Sequence, residues 1–320
     1  MKLSVIVPAH NPEPGRLART LAGLRRQTLP ANTWETLLID NASTVPLAAE
    51  MWLGQGPENL TVVRENRLGL TAARLRGFAA ASGDLFILVD DDNVLAPDYL
   101  AAAAARFAVD PLLGAAGGRS APEFAAEPPG WTREFDGLLA VRDLGAEPRW
   151  ASWQDPAPRE YPACAPIGAG MVLRRHAAET YARAVERDPR RLAFDRTGTR
   201  LVSGGDNDLV LTVLEAGLAV AYFPELALTH LIPPGRTRPR YLGALNRAIA
   251  RSWVGVLALH GIVIWPAVGR RSVPLRQARA WVRARAWTSP AAWVRWQGRC
   301  GTFEGQADLA DGAETAAGRA

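Results

Sequence analysis

The sequence predicts an α/β fold with a mostly parallel sheet. Within the first 120 residues, short apolar segments rich in β-branched and aromatic residues alternate with helical patterns. The segments are LSVIVPA, ETLLID, LTVVREN and DLFILVD. Continuous apolar strands separated by helices are typical of a sheet whose two faces are both covered. Hydrophobic residues make up 48% of the 320 residues, which is enough for a sizeable core.

Helical spacing fills the intervals between these strands. Three leucines at i, i+4 and i+7 predict a helix after the first strand, and a second helix is expected from Thr71. The apolar residues that set the two patterns are Leu17, Leu21 and Leu24, then Leu75, Phe78 and Ala79. The segment PDYLAAAAARFA has a proline in its first turn and predicts a third helix.

The pattern weakens over residues 121–165, which are rich in proline and aromatic side chains. We expect a long, partly ordered insertion there, since long loops are often functional. Order returns with GAGMVLRRHAAETYARAVER, which predicts a strand or turn followed by a helix. NDLVLTVLEAGL predicts another helix, and AVAYFPELALTH predicts a strand pair or extended segment.

Charge is distributed unevenly and suggests a division into regions. The net charge is +5, but residues 236–300 contain thirteen arginines and no acid, so the remaining chain carries about −8. We therefore predict an α/β domain over 1–235 and a basic, Trp- and Arg-rich helical region over 236–299. The small, polar segment 300–320 is expected to be a disordered tail.

The cysteines and the N-terminus bear on location. Cys164 and Cys300 lie far apart, which excludes a disulfide scaffold or a cysteine-based zinc site and suits a reducing compartment. MKLSVIVPAHN predicts a first strand instead of a signal peptide. We expect a cytoplasmic protein, with peripheral attachment to the inner face of the membrane as the alternative.

The basic region has two interpretations. Residues 253–269 are mostly apolar, but 17 residues are at the short limit for crossing a bilayer. The segment LRQARAWVRARAWTSPAAWVRWQGR then alternates arginine with tryptophan. It can form helices packed on the α/β domain, with arginines solvated or paired, or it can contact an anionic membrane surface.

Polar residues follow each early strand. The first strand ends in His10 and Asn11, the second in Asp40 with Asn41 and Ser43, and the fourth in three consecutive aspartates, 90–92. Ligands of open α/β sheets bind outside the carboxyl ends of the strands. We expect these side chains to meet in one crevice.

The aspartate run favours a divalent ion. Because strand side chains alternate, we expect Asp90 and Asp92 to share one face and Asp91 to point the other way. Two carboxylates on one face repel unless a cation lies between them, and Mg²⁺ or Mn²⁺ prefers such oxygen ligands. The alternative is a solvated turn that caps the next helix.

Other nucleotide folds are disfavoured. The first strand is not followed by a G-x-G-x-x-G turn or a Walker motif, and Lys2 is the only lysine. NAD-type oxidoreductases and P-loop NTPases therefore fit poorly, and Schiff-base chemistry is excluded beyond Lys2.

A second acidic site lies in SGGDNDLVL. Asp206 and Asp208 precede an apolar helix, so one can cap that helix while the other acts as a general base. His230 follows an apolar run and is either a hydrogen-bonded structural residue or a metal ligand. Arginines at 236, 238 and 240 could meet a phosphate.

Six segments, in this order, resemble the family 2 glycosyltransferases, which have the Rossmann-like GT-A fold. The segments are SVIVPAHN, LLIDNAS, ENRLGLTAARLRGFAAASGD, LVDDDN, IGAGMVLRR and GGDNDL. The resemblance covers about residues 1–232. It implies transfer of a sugar, with inversion, from a UDP- or GDP-linked donor to an acceptor hydroxyl, with Mn²⁺ or Mg²⁺ as cofactor.

The resemblance also implies roles for residues. Asp206 would be the catalytic base, and Asp92 with His230 would bind the metal ion. The residues expected at the nucleotide are Pro8, His10, Asp40, Arg74, Asp90 and Asp91. The residues expected on the acceptor side are Gly168, Ala169, Gly170 and Asp208. The acceptor would be a sugar, a lipid-linked molecule or a small molecule, and membrane contact through 236–299 would suit a lipid-linked one.

The chain departs from the family pattern at three positions. Asn41 replaces a common second aspartate, Leu75 a frequent asparagine, and Gly205 the glutamate that usually precedes the base. Two alternatives stay open at this point. One is a nucleotidyltransferase-type enzyme, although PAHNPEPG lacks the glycine-rich signature of that class. The other is a non-catalytic carbohydrate- or nucleic-acid-binding protein, although no nucleic-acid partner is expected.

Overall fold

The structure is a computed structural model that describes residues 1–153, 159–198 and 200–317. The chain forms two compact units, each assembled from separate stretches of sequence. Unit 1 contains Met1–Glu123, Ala140–Leu192 and Leu209–Ile232. Unit 2 contains Phe124–Leu139, Ala193–Asp208 and the chain from Pro233 onward. Segments 124–139 and 193–208 thus belong to the same unit as the C-terminal helices. The charge pattern instead predicts a single boundary at residue 235.

The strands all precede residue 233. They are β1 (Leu3–Ala9), β2 (Trp34–Asn41), β3 (Leu60–Glu65), β4 (Leu85–Leu88), β5 (Asn93–Leu95), β6 (Leu113–Gly117), β7 (Ser120–Phe124), β8 (Arg149–Ala151), β9 (Val172–Arg174), β10 (Ala219–Tyr222) and β11 (Leu228–Ile232). The helices are α1 (Pro14–Arg25), α2 (Leu70–Ala80), α3 (Tyr99–Val109), α4 (Arg175–Arg187), α5 (Gly205–Glu215), α6 (Pro239–Leu259), α7 (Val273–Ala284) and α8 (Pro290–Ala317).

The main sheet of unit 1 has the strand order β3-β2-β1-β4-β9-β6-β10-β8. The pairs β1–β2, β1–β4, β2–β3 and β6–β10 are parallel, whereas β9 and β8 run antiparallel to their neighbours. A smaller sheet has the order β5-β11-β7. The predicted α/β class with a mostly parallel sheet is therefore confirmed.

The core of unit 1 explains why the sheet forms from these segments. Strands β1 and β4 are buried along their whole length, as expected for strands covered on both faces. Leu17, Leu21 and Leu24 are fully buried on α1, which confirms the helical spacing seen in the sequence. Phe78 on α2 stacks on Phe86 of β4 with ring centroids 5.5 Å apart.

Unit 2 is built around α6 and α8, which lie very close together. A Cβ atom at Gly301 would overlap the backbone oxygen of Arg247, and one at Gly305 would lie 2.7 Å from that of Arg251. Glycine at these positions lets the two helix backbones approach. The expectation of a disordered tail from residue 300 is wrong for the described residues, because α8 continues to Ala317.

The acids of α8 neutralise part of the basic region. Glu304 pairs with Arg247, and Asp308 pairs with Arg251 at 2.6 Å. Arg270 contacts Asp308 and Asp311 at 2.8 and 2.5 Å. The apolar run from residue 253 is interrupted because α6 ends at Leu259. Among the helices of the described residues, none is both long and apolar enough to cross a membrane.

Candidate functional site

Asp40, at the end of β2, anchors the loop that follows it. Its two carboxylate oxygens accept hydrogen bonds from the backbone N–H groups of Ser43 (3.1 Å) and Leu47 (3.0 Å) and from Arg64 (2.5 Å). Burial alone would raise the pKa of Asp40, but these hydrogen bonds outweigh it, so the pKa lies below its usual value. Asp40 is therefore a buried, ionised residue that fixes the shape of residues 43–47.

The side-chain contacts of Asn41 explain why an amide replaces the second aspartate of the family pattern. Its side-chain N–H donates to the backbone oxygen of Arg67 (2.8 Å), and its side-chain oxygen accepts from the N–H of Gly69 (2.8 Å). An aspartate could accept from Gly69 but could not donate to Arg67. The amide thus ties the end of β2 to the turn that leads into α2.

His10 and Pro8 lie at the adjoining end of β1. His10 Nδ1 lies 2.8 Å from the backbone oxygen of Asn41, so Nδ1 carries the proton, and Nε2 accepts from Asn11 at 3.2 Å. Pro8 is buried in β1, and the pairing of β1 with β4 ends at Ile6, before Pro8. Sequence reasoning brought these strand-end residues together, and unit 1 places them side by side.

The aspartate run does not continue strand β4. The strand ends at Leu88, and the N–H of Asn93 donates to the backbone oxygen of Asp90 at 3.0 Å, which closes a turn. The expectation that Asp90 and Asp92 share one strand face is therefore wrong. Asp90 and Asp91 are half-buried in this turn, whereas Asp92 is buried. The alternative of a helix cap also fails, because β5 separates the run from α3.

Asp92 and His230 face each other across two paired strands. Position 230 of β11 is in register with position 93 of β5, and the N–H of Leu231 donates to the backbone oxygen of Asp92 at 2.8 Å. Both residues are 4% exposed, and Asp92 Oδ1 lies 3.5 Å from His230 Nε2. Both residues are expected from the sequence to be metal ligands, and the fold brings them together.

This pair has the donor set that a divalent ion would use. Two ligands at right angles, each about 2.1 Å from one ion, lie about 3 Å apart, close to the observed separation. Asn93 adds a buried side-chain oxygen that, among the described residues, has no hydrogen-bond partner. No cluster of three or more His, Cys, Asp or Glu side chains suited to a metal occurs in the described residues. An ion held here would need further oxygen ligands from a bound molecule or water.

The segment 168–170 lies beside the end of β4. The N–H of Met171 donates to the oxygen of Gly168 (3.3 Å), and the N–H of Leu88 donates to the oxygen of Met171 (2.8 Å). Gly170 has φ +73°, and a Cβ there would lie 2.6 Å from a Leu228 methyl group. Glycine is thus required both for the turn and for the close packing. Ala169 is buried within the same turn.

Arg74 is buried on α2, the helix that follows the turn held by Asn41. Its predicted place at a nucleotide stays a prediction, because nothing in unit 1 identifies the group it would meet.

In unit 2, Asp206 lies in the first turn of α5 and is half-buried. Gly205, immediately before it, packs against a second carboxylate: a Cβ at this position would overlap the side chain of Asp195, which is itself buried. The N–H of Gly204 donates to the oxygen of Phe194 at 2.7 Å and holds the two segments together.

Asp208 has a different environment from the one expected of an acceptor-side residue. It is fully buried, and the ring nitrogen Nε2 of His260, also fully buried, lies 2.8 Å from its Oδ1. Asp208 is also not the cap of α5, because the helix already begins at Gly205. A carboxylate with no exposed surface cannot touch an acceptor in this conformation.

Sequence reasoning missed several residues that shape the site. Asn93, Arg64, Asp195 and His260 make the contacts described above. Asn93 adjoins the aspartate run and could have been found there. Asp195 and His260 lie in segments without a motif, and only the fold reveals their partners.

The sequence profile described as glycosyl transferase family 2 matches residues 4–176, more than half of the chain. The chain belongs to glycosyltransferase family 2. The match begins in β1 and ends at the start of α4, so it covers the strand ends that carry Asp40 and Asp92 and the turn at residues 168–170.

Relatives agree with the family assignment. The succinoglycan biosynthesis protein ExoW of Rhizobium meliloti (strain 1021) is 38% identical over 103 residues, which are 31% of this chain and 32% of that protein. An N-acetylglucosaminyltransferase of Bradyrhizobium diazoefficiens (strain JCM 10833 / BCRC 13528 / IAM 13628 / NBRC 14792 / USDA 110) is 25% identical over 92% of this chain and 59% of that protein. The chain thus spans about a third of the length of the first relative and somewhat more than half of the length of the second.

A solved structure supports the fold. The mannosyltransferase PcManGT from Pyrobaculum calidifontis, in complex with GDP-Man and Mn²⁺, matches with a TM-score of 0.55 and 22% identity. The match covers 98% of this family 2 chain and 80% of the mannosyltransferase. The expected GT-A architecture, an α/β sheet flanked by helices, is thereby confirmed.

Proposed function

We propose that this family 2 protein transfers a sugar from a nucleoside-diphosphate sugar to an acceptor hydroxyl, with a divalent metal ion and with inversion at the anomeric carbon. The observation that carries the proposal is the buried pair of Asp92 and His230, which lies beyond the end of β4. Asp92 is within residues 4–176, the part of the chain that the family profile matches. A carboxylate and an imidazole buried side by side beyond a strand end are typical of functional sites.

The donor is proposed to be UDP- or GDP-linked. The mannosyltransferase of similar fold is in complex with GDP-Man and Mn²⁺, and one relative is an N-acetylglucosaminyltransferase. The loop fixed by Asp40, together with His10 and Pro8, is proposed to hold the nucleoside. Arg74, Asp90 and Asp91 are proposed to lie near the ribose and diphosphate.

Mn²⁺ or Mg²⁺ is proposed to bind Asp92 and His230. When bound, the ion would supply positive charge that offsets the negative charge gathering on the diphosphate. The protein's own contribution is to hold the carboxylate and the imidazole in place through the β5–β11 pairing, so that neither has to reorganise.

Asp206 is proposed to act as the base. It would remove the proton from the acceptor hydroxyl as that oxygen attacks, and a positioned base contributes about 10²–10⁴-fold to the rate. Attack from the face opposite the leaving diphosphate gives inversion. Residues 168–170 are proposed to line the acceptor side. Asp195, packed against Gly205, is proposed to supply the carboxylate that a glutamate would provide at that position.

The acceptor is proposed to be a hydroxyl-bearing sugar, lipid-linked molecule or small molecule. A lipid-linked acceptor would agree with peripheral membrane contact by the basic region and with a location at the inner face of the membrane. These assignments stay proposals, because the chain spans only part of its relatives.

The donor proposal can be tested by isothermal titration calorimetry with UDP and GDP, each with and without Mn²⁺. One nucleotide should bind with a Mn²⁺-dependent affinity that Asp92→Ala removes. Asp98→Ala is the matched control, because Asp98 is exposed and makes no capping hydrogen bond. Equal binding by wild type and Asp92→Ala would contradict the metal assignment.

The base can be tested separately with the nucleotide-sugar that the calorimetry selects. Asp206→Asn should lower sugar transfer by at least about 10²-fold while nucleotide affinity stays at the wild-type value. The measurement is nucleotide release at saturating donor. Full turnover by Asp206→Asn would refute the role of this carboxylate.

A further inference from the structure

Helix α7 exposes an apolar stripe and an arginine stripe side by side. Leu275, Ala278 and Val282 follow i, i+3, i+7 spacing and are exposed, and Leu275 and Val282 are 56% and 63% exposed. Each residue of the apolar stripe is followed directly by an arginine, and these three arginines form the second stripe. Its members are Arg276, Arg279 and Arg283, all exposed. We call these two stripes the α7 outer face.

The opposite side of α7 is the one that packs within unit 2. Val273 and Ala280 are buried there. Trp281 lies edge-on to Trp296 of α8 with ring centroids 4.7 Å apart, and Trp296 Nε1 donates to the backbone oxygen of Gln277 at 3.0 Å. The helix is therefore already fixed by one face, and its exposed apolar stripe is not needed for that packing.

The arginines of the outer face are not neutralised by carboxylates of the described residues. Within the described residues, no carboxylate forms an ion pair with any arginine of the stripe, and Arg276 donates to Ser272 at 3.1 Å instead. Glu304, Asp308 and Asp311 of α8 pair with other arginines, at positions 247, 251 and 270. Arg271 and Arg285 add two further exposed positive charges at the ends of α7.

Exposed apolar residues continue beyond the helix. Trp287, which follows α7, is 57% exposed, and Val263 and Ile264, in the segment before α7, are 74% and 61% exposed. A water-facing arginine stripe needs no such neighbours. Aliphatic and indole side chains beside arginines match the boundary between lipid headgroups and acyl chains.

We propose that the α7 outer face binds the surface of an anionic lipid bilayer. Leu275, Val282 and Trp287 enter the headgroup boundary, and the arginines contact lipid phosphates. At 12 residues, α7 is about 18 Å long, so it lies along the surface and does not span it. A nucleic acid would satisfy the arginines but would leave the aliphatic stripe in water, so a bilayer is favoured.

The test is flotation of the full chain with vesicles in a density gradient. One set contains phosphatidylcholine alone, and the other contains equal parts of phosphatidylcholine and phosphatidylglycerol. The wild type should float with the anionic vesicles only, and raised salt should weaken the binding. At about fivefold per arginine, the triple variant R276Q/R279Q/R283Q should lose about a hundredfold in partition coefficient.

The apolar stripe has its own variant, Leu275→Ser with Val282→Ser, which should also reduce flotation. Matched controls lie elsewhere on the chain. Val109→Ser with Leu112→Ser removes two apolar residues that are 79% and 63% exposed, and R26Q/R133Q/R187Q removes three exposed arginines. Both controls should float as the wild type does.

Three outcomes would overturn the proposal. They are failure of the wild type to float with anionic vesicles, equal losses in the controls and the α7 variants, and displacement of bound vesicles by a single-stranded oligonucleotide. The assay reads binding alone, so its failure would leave the sugar-transfer proposal intact, and loss of sugar transfer would leave the lipid proposal intact.

Discussion

Replacing His260 by alanine should destabilise the protein more than any surface substitution of the same type. His260 and Asp208 are both 0% exposed in their side chains, and their polar atoms lie 2.8 Å apart. Removing the imidazole takes away a donor from a carboxylate that water cannot reach. Breaking a buried pair in this way costs about 3–5 kcal/mol, whereas exposed pairs contribute about 0–1 kcal/mol.

The cost can be assigned to the pair with a double-mutant cycle. The free energy of unfolding in urea is measured for His260→Ala, for Asp208→Ala and for the double variant. The sum of the two single losses of unfolding free energy should exceed the loss of the double variant. The difference, which is the coupling energy of the pair, should be at least about 1 kcal/mol. His176→Ala is the control, since His176 is exposed on α4 and should change stability by no more than about 0.5 kcal/mol. Strictly additive losses would refute the reasoning.

Two further predictions concern the surroundings of two buried carboxylates, Asp195 and Asp40. Gly205→Ala should lower the melting temperature, because the new methyl group would overlap Asp195, and adding Asp195→Gly should recover part of that loss in the same thermal scan. A control, Gly137→Ala, has open space and should melt within experimental error of the wild type. Asp40 has a lowered pKa, so its contribution to stability is present above its unfolded pKa of about 3.9 and is lost as the pH falls through the folded value. The unfolding free energy should therefore fall more steeply below about pH 4 in the wild type than in Asp40→Asn, and identical slopes would contradict the Asp40 geometry.

The sequence predicted what depends on periodicity and missed what depends on where strands end. Leucines at helical spacing identified α1, and apolar runs identified β1, β2 and β4, because burial on both faces leaves a local signature. The shared face of Asp90 and Asp92 was wrong because β4 stops at Leu88, and strand boundaries leave a weak trace in sequence.

The part of α8 from residue 300 onward was missed for a different reason. Gly301 and Gly305 suggest a loop when they are read locally, yet they are the positions at which α8 contacts the α6 backbone. The contact of Asp195 with Gly205 and the pairing of Asp208 with His260 could not be predicted, because both depend on tertiary packing between segments that carry no common pattern.

The grouping of residues 193–208 with the C-terminal helices has a consequence for chimaeric proteins. Cutting the chain at residue 235 would separate Asp206 from the helices with which its segment forms a compact unit. A swap designed along the linear sequence would keep this carboxylate while discarding its support. An exchange that moves residues 124–139 and 193–208 together with the helices would transplant the proposed proton-removing group and leave the donor-side carboxylates with the sheet.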